Sequence, residues 1–172
     1  FFLASGVKER ASGTDIVNIA QMSKRSALIF VAKRSSGISR PSDMNGRKLG
    51  LWYSDFREVP LAFLKKYDLN MEIVPLGGTI NLFLRDGVDA TIAMWYNEYH
   101  TIINSGLDPE DLTSFFFFDH ELDVPEDGIY CLAEAYKKHP EAFRTFASAS
   151  AEGWEKAFSD PAKAVDIIIR KM

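Results

Sequence analysis

Hydrophobic and polar positions follow two different periodicities along the chain. Short apolar runs typical of strands are separated by stretches in which apolar residues recur at helical spacing. The run ALIFVA at 27–32 predicts a buried strand, and PLAFLKKY at 60–67 predicts a helix with Lys65 and Lys66 on its outer side. Strands separated by helices of this size predict parallel β-α-β crossovers and hence an α/β fold.

The same periodicities predict the other elements of the chain. Further strands are predicted at 16–19, 48–52, 72–76, 89–95 and 128–135. Further helices are predicted at 80–85, 97–104, 140–159 and 161–172. The four phenylalanines at 115–118 predict either a buried strand or a loop anchor, since acidic residues flank the run.

Composition and charge exclude several classes of protein. Of the 172 residues, 47% are hydrophobic and 26% are charged, which is typical of a folded chain. The net charge of -4 disfavours a nucleic-acid binder. No apolar run reaches the ~20 residues that a spanning helix needs, so no membrane insertion by this chain is predicted. The single cysteine, Cys131, allows no internal disulfide.

Both ends of the chain suggest a longer precursor. The first residue is Phe1 rather than methionine, no signal-peptide pattern follows it, and the last residue lies within an amphipathic stretch. We therefore expect a processed or truncated chain.

Catalytic signatures are missing from the sequence. There is no phosphate-binding GxxxxGK[ST] loop, no GxSxG elbow and no dinucleotide GxGxxG. The three histidines, His100, His120 and His139, have no metal-ligand spacing. The sequence therefore predicts no catalytic residue, no metal site and no cofactor.

Three predicted strands instead end on groups suited to holding a small molecule. In LWYSDF the strand leads into Trp52, Tyr53, Ser54 and Asp55, which offer aromatic faces, a hydroxyl and a turn before a helix. The alternative is that Ser54 or Asp55 caps the helix and the aromatics belong to the core. In open α/β sheets, ligands bind outside the carboxyl ends of the strands.

The other two clusters follow the next two predicted strands. In LGGT, Gly77 and Gly78 allow close backbone approach and Thr79 offers a hydroxyl, although a glycine turn with Thr79 as helix cap explains the same residues. WYNE at 95–98 places two aromatics, an amide and a carboxylate directly after a core strand.

Four stretches in order resemble one known family. PSDMNGRKLG, EIVPLGGT, RDGVDATIAMW and the C-terminal run from HPEAFRTF to AVDIII are similar to segments of periplasmic binding proteins of the nitrate/sulfonate/taurine/thiamine-precursor group. That group is related to the eukaryotic thiamine-pyrimidine synthases. The resemblance covers nearly the whole chain, and it rests on the order and spacing of the segments rather than on any one of them.

The resemblance implies a type II binding-protein fold with two α/β lobes joined by two hinge strands. The hinge strands would be 27–34 and 128–135. One lobe would contain 35–128. The other would contain 1–34 and 129–172, and it would be incomplete at its N-terminus.

The resemblance also implies a function. Such proteins bind a solute between the lobes, close around it, and deliver it to the permease of an ABC transporter, in the periplasm or outside the cell, with a lipid anchor as one option. The alternatives are binding of nitrate, sulfonate or taurine-type anions, a ligand-sensing domain of a signalling protein, and a pyrimidine-precursor synthase. The synthase is disfavoured because its cysteine-rich motif has no counterpart beside Cys131.

The WYNE cluster favours a thiamine-related pyrimidine as the ligand. The carboxylate of Glu98 would accept hydrogen bonds from ring N–H groups, and Trp95 or Tyr96 would supply an aromatic face. The same carboxylate would repel an anion. The alternative is that Glu98 only stabilises the start of its helix and that Asn97 is the helix cap. The remaining candidates for the cleft are Asn97, Asn18 and Asp127.

Overall fold

The computed structural model describes residues 1–53 and 56–172. Its strands are β1 (Ile16–Gln21), β2 (Leu28–Lys33), β3 (Lys48–Trp52), β4 (Glu72–Leu76), β5 (Ala90–Met94), β6 (Leu112–Phe116) and β7 (Gly128–Leu132). Its α-helices are α1 (Leu3–Ala11), α2 (Glu58–Lys66), α3 (Asn81–Leu84), α4 (Glu98–Asn104), α5 (Ala133–Lys138), α6 (Pro140–Ser159) and α7 (Pro161–Ile169). The alternation of strands and helices confirms the predicted α/β class.

Five strands form the larger sheet in the order β4-β3-β5-β2-β6. Strand β3 is parallel to both β4 and β5, which confirms the predicted crossovers in this part of the chain. Strand β2 is antiparallel to both β5 and β6, so the prediction of parallel pairing is wrong there. The reason is that an apolar run identifies a buried strand but carries no information about its direction.

A second sheet contains β1 and β7, which pair antiparallel. The chain passes between the two sheets twice, through residues 22–27 and 117–127. The strand predicted at 27–34 pairs in the larger sheet from Leu28 onwards, and the strand predicted at 128–135 pairs in the second sheet. The division into lobes at residues 34 and 128 stays a prediction.

The core covers both faces of the larger sheet. On one face Phe30 of β2 contacts Phe63 and Phe117 edge-on, with ring centroids 5.1 and 4.9 Å away. On the opposite face Ile29 and Val31 pack in a second buried cluster. Strands buried on both faces need apolar residues at successive positions, and this is why ALIFVA lacks the alternation of a half-exposed strand.

Two local elements differ from the sequence-based predictions. The strand predicted at 128–135 ends at Leu132, because the following AEAYKK consists largely of good helix formers and forms α5. Helix α1 was not predicted, since its sequence LASGVKERA contains a glycine and gives only a weak amphipathic pattern. The phenylalanine run satisfies both predicted alternatives: Phe115 and Phe116 end β6, and Phe117 begins a short 3₁₀ turn.

The C-terminal helices α6 and α7 contain no buried residue. Trp154 and Phe158 stack on each other with ring centroids 5.8 Å apart, and both are more than half exposed. Within the part of the chain that the structure describes, no helix is both long enough and apolar enough to cross a bilayer.

Replacing Gly50 by alanine should destabilise the protein. The added Cβ in β3 would lie 2.6 Å from Cδ1 and 3.1 Å from Cγ of the buried Leu76. Overpacking of this kind typically costs about 1–3 kcal/mol, so urea denaturation should give a free energy of unfolding lower by about that amount. As a control, Gly153→Ala in α6 adds a Cβ with no heavy atom within 4 Å and should leave stability unchanged or higher. Equal stabilities of the two variants would contradict the packing around Gly50.

Candidate functional site

The carboxyl ends of three parallel strands meet at one edge of the larger sheet. β3 ends at Trp52, β4 at Leu76 and β5 at Met94. The antiparallel β2 begins at this edge, with Leu28 opposite Met94. The chain therefore enters from the second sheet at the same place where the parallel strands end, which is the edge where α/β sheets bind ligands.

A cleft of about 340 Å³ lies at this edge. Its size is within the usual range for small-molecule sites, about 300–1,000 Å³. The lining residues come from the strand ends and the turns that follow them: Trp52, Tyr53, Phe56, Leu76, Gly77, Gly78, Met94, Tyr96, Asn97 and Glu98.

Four of the lining residues are aromatic, and one of them, Phe56, packs against a residue near the N-terminus. Phe56 contacts Trp52 edge-on at 5.6 Å and Phe2 at 4.4 Å, measured between ring centroids. Phe2 precedes α1 and is buried, so the start of α1 supports the aromatic wall of the cleft. Phe56 has a φ of 61°, a strained value for a bulky side chain.

Glu98 is held by two hydrogen bonds at the start of α4. Its Oε2 accepts the backbone N–H of Met94 at 2.8 Å, and its Oε1 accepts the side-chain amide of Asn97 at 3.1 Å. A carboxylate has about four lone-pair sites, so two remain for a ligand. Glu98 therefore has a fixed orientation and spare acceptor capacity in the cleft.

The cleft has acidic surroundings. Burial, with the carboxylates of Asp127, Glu126 and Glu98, raises the pKa of Tyr96 above its usual value of 10.0. The hydroxyl of Tyr96 therefore keeps its proton at neutral pH and can donate a hydrogen bond. Among the described lining residues there is no lysine, arginine or histidine to balance these carboxylates.

A metal ion is not indicated by the donors present. Across residues 1–53 and 56–172, no group of three or more His, Cys, Asp or Glu side chains is placed to hold one.

Seven of the residues predicted from the sequence line the cleft. They are Trp52, Tyr53, Gly77, Gly78, Tyr96, Asn97 and Glu98. Ser54 and Asp55 lie outside the described residues. Four others do not contribute to the lining: Thr79, Trp95, Asn18 and Asp127. Their role in ligand binding stays a prediction.

Trp95 lies away from the cleft, against helix α4 and strand β6. Its ring stacks on Tyr99 at 4.5 Å and contacts Phe116 at 5.1 Å, measured between centroids. Side chains of successive residues in a strand point to opposite faces, so when Met94 faces the cleft its neighbour faces away. The aromatic face that WYNE contributes to the cleft therefore belongs to Tyr96.

Asn18 and Asp127 lie on the side of the second sheet. The Asn18 amide donates to the side-chain carbonyl of Gln21 at 2.9 Å. The main-chain carbonyl of Asp127 accepts the N–H groups of Met22 and Ser23, and the side chain of Asp127 is exposed. The Asn18 contact lies within β1, whereas the Asp127 contacts join the two segments that cross between the sheets.

Three lining residues are not predicted from the sequence: Phe56, Leu76 and Met94. Leu76 and Met94 are the last residues of β4 and β5, and their position at the ends of predicted strands is the sequence feature that indicates them. Phe56 lies four residues after the end of β3. Its contact with Phe2 joins positions far apart in the sequence, for which a single sequence carries no signal.

Solved structures with a similar fold are solute-binding proteins. The periplasmic aliphatic sulphonate binding protein SsuA from Escherichia coli aligns with 16% identity over 96% of this chain and 57% of its own, with a TM-score of 0.73. The alkanesulfonate-binding protein SsuA from Xanthomonas axonopodis pv. citri aligns with 14% identity over 91% of this chain and 55% of its own (TM-score 0.62).

A third similar structure is an ABC uptake transporter substrate-binding protein from Streptococcus pneumoniae with bound histidine. It has 17% identity and a TM-score of 0.60, with coverage of 90% of this chain and 62% of that protein. The chain thus has the type II periplasmic-binding-protein fold, and it spans little more than half the length of these structures.

No curated protein sequence matches the chain. A family model described as NMT1/THI5 like matches residues 4–164, which is most of the chain. This agrees with the segments that resemble binding proteins of the nitrate/sulfonate/taurine/thiamine-precursor group. The chain belongs to the NMT1/THI5-like family.

Proposed function

We propose that the protein is the solute-binding component of an ABC-type import system and that its ligand is a small heterocycle such as a thiamine-related pyrimidine. The observation that carries the proposal is the oriented carboxylate of Glu98 in an aromatic cleft whose described lining has no basic side chain. Family membership and the binding-protein fold support the general function.

The chemistry of an aminopyrimidine matches the groups in this cleft. Its exocyclic amine donates hydrogen bonds, and a carboxylate is the strongest side-chain acceptor for them. Its flat ring can stack on the aromatic side chains of Trp52, Tyr53 or Tyr96. Gly77 and Gly78 lack side chains and leave room for the ring to approach the main chain.

Binding of a sulfonate is the second candidate function. It is favoured by the similar structures from Escherichia coli and Xanthomonas, which are described as sulfonate-binding proteins. A sulfonate in this cleft would lie beside the carboxylate of Glu98 without a basic side chain among the described lining residues. Repulsion between like charges therefore favours the heterocycle.

The rest of the proposal follows from the family. We place the protein in the periplasm or at the outer cell surface, with a transporter permease as its partner and with no catalytic role. Ligand binding would favour the closed arrangement of the two lobes, because only that arrangement brings both walls of the cleft onto the ligand.

Isothermal titration calorimetry tests the choice of ligand. The protein should release or absorb heat with 4-amino-5-hydroxymethyl-2-methylpyrimidine, with a dissociation constant of about 1 µM or lower. Taurine and nitrate, titrated under the same conditions, should give only heats of dilution. Binding of taurine or nitrate without binding of the pyrimidine would overturn the heterocycle; binding of taurine would favour the sulfonate candidate, and binding of nitrate alone would favour a different anion.

A further inference from the structure

The two segments that cross between the sheets are joined by a buried carboxylate. Glu126 is 2% exposed. Its Oε1 accepts hydrogen bonds from Ser26 Oγ at 2.8 Å, from the backbone N–H of Ala27 at 2.6 Å and from that of Leu28 at 3.2 Å. One oxygen of the second crossing segment thus holds Ser26 and Ala27 of the first and Leu28 at the start of β2.

The peptide group of Ala27 links Glu126 to the residues that line the cleft. Its N–H donates to Glu126, and its carbonyl accepts the backbone N–H of Trp95 at 2.8 Å. Trp95 stands between Met94 and Tyr96, which both line the cleft. A displacement of Ala27 would therefore move the turn that carries the ligand-binding groups.

Other contacts hold the crossing segments side by side without reaching this turn. The Gln21 amide donates to the carbonyls of Ser23, Glu126 and Asp127. Asp123 accepts the backbone N–H of Ser26 at 2.9 Å and the Arg25 guanidinium at 3.0 Å. Glu126 differs from these residues because it alone, among the described contacts, bonds the Ala27 N–H.

We propose that Glu126 is a positioning residue for the cleft: through Ala27 it fixes the turn of Met94 to Glu98 relative to the segments that join the two sheets. The expected effect of Glu126 on ligand affinity rests on the proposed function. Its expected effect on the position of the turn does not. Burying a carboxylate is unfavourable, and burial raises the pKa of Glu126 above its usual value of 4.5. Three hydrogen bonds from one short segment offset that cost.

Two substitutions separate the hydrogen bonds from the charge. Glu126→Gln keeps an oxygen that can accept all three bonds, whereas Glu126→Ala removes them. Amide hydrogen exchange of the 94–98 turn should become about tenfold faster in Glu126→Ala and stay within about twofold of the wild type in Glu126→Gln. Exchange in the core strand β3 is the control and should stay near the wild-type rate. Faster exchange in β3 would indicate a general loss of stability rather than a local change in the turn.

Asp123→Asn provides the matched control, since it alters a carboxylate on the same crossing segment that does not contact Ala27. It should leave exchange at the turn unchanged. If Glu126→Ala does not fold, Glu126→Asp takes its place, because its shorter side chain pulls the oxygen away from Ala27. Unchanged exchange at the turn in the folded variant, or equal acceleration in Glu126→Gln, would overturn the proposal.

Ligand binding gives the second readout. Glu126→Ala should weaken binding of 4-amino-5-hydroxymethyl-2-methylpyrimidine by about fivefold, and Glu126→Gln should restore wild-type affinity. If the wild type does not bind this pyrimidine while exchange at the turn follows the expected pattern, the proposed ligand is wrong and the positioning role of Glu126 stands. If the wild type binds and neither exchange nor affinity changes in Glu126→Ala, the positioning role is wrong and the proposed ligand stands.

Discussion

Replacing Phe30 by alanine should lower the free energy of unfolding by about 3–5 kcal/mol. Phe30 lies in the central part of β2 and is fully buried. Its ring makes edge-on contacts with Phe63 and Phe117, and each such pair adds about 0.5–1.5 kcal/mol to the gain from burial. The small side chain would leave a cavity between two elements that cannot close onto it, because β2 is paired on both sides.

Urea denaturation followed by circular dichroism measures this effect. Phe158→Ala is the matched control, since the same chemical change is made at a ring that is 75% exposed in α6. It should alter stability by less than about 0.5 kcal/mol, as expected of an exposed position. A loss below about 1 kcal/mol for Phe30→Ala would contradict the central position of this ring in the core.

The buried strands could be predicted from the sequence, but their partners could not. ALIFVA is apolar at successive positions because both faces of the larger sheet are covered, and its short length and β-branched and aromatic residues indicate a strand. Nothing in the run specifies that Leu28 pairs with Met94 and Ile29 with Phe116. Those partners depend on how the chain returns from the second sheet, which is a long-range property.

The location of the cleft could be predicted from the sequence, but the aromatic side chain that faces it could not. Three clusters at predicted strand ends indicated one edge of the sheet, since parallel strands end together. The sequence alone does not distinguish Trp95 from Tyr96 as the residue whose ring faces the cleft. The alternation of side chains at the end of β5 and the contact of Trp95 with Tyr99 leave Tyr96 in the cleft.

The two sequence-based interpretations of Glu98 do not exclude each other. It is the first residue of α4, as the helix-start interpretation requires. Its carboxylate nevertheless bonds the N–H of Met94 at the end of the preceding strand, and it lines the cleft. A structural and a ligand-binding role are therefore compatible, and they can be separated by substitution.

Glu98→Gln should weaken binding of 4-amino-5-hydroxymethyl-2-methylpyrimidine by more than about tenfold, or 1.4 kcal/mol. Glutamine keeps one oxygen, and the N–H of Met94 will retain it as acceptor because this main-chain donor is partly buried. The amide NH₂ then replaces Oε1, where it meets a ring N–H donor with another donor and without negative charge. Calorimetry measures the affinity, and Glu155→Gln on the exposed surface of α6 is the control with unchanged affinity.

The thermal midpoint separates the two roles of Glu98. In Glu98→Gln the bond to Met94 persists, so the midpoint should stay near that of the wild type. Glu98→Ala removes the acceptor of the Met94 N–H and should also lower the free energy of unfolding by about 1–3 kcal/mol. If Glu98→Gln keeps full affinity while its midpoint falls, Glu98 serves only the turn between β5 and α4. The acceptor for the ligand would then have to be sought elsewhere in the cleft.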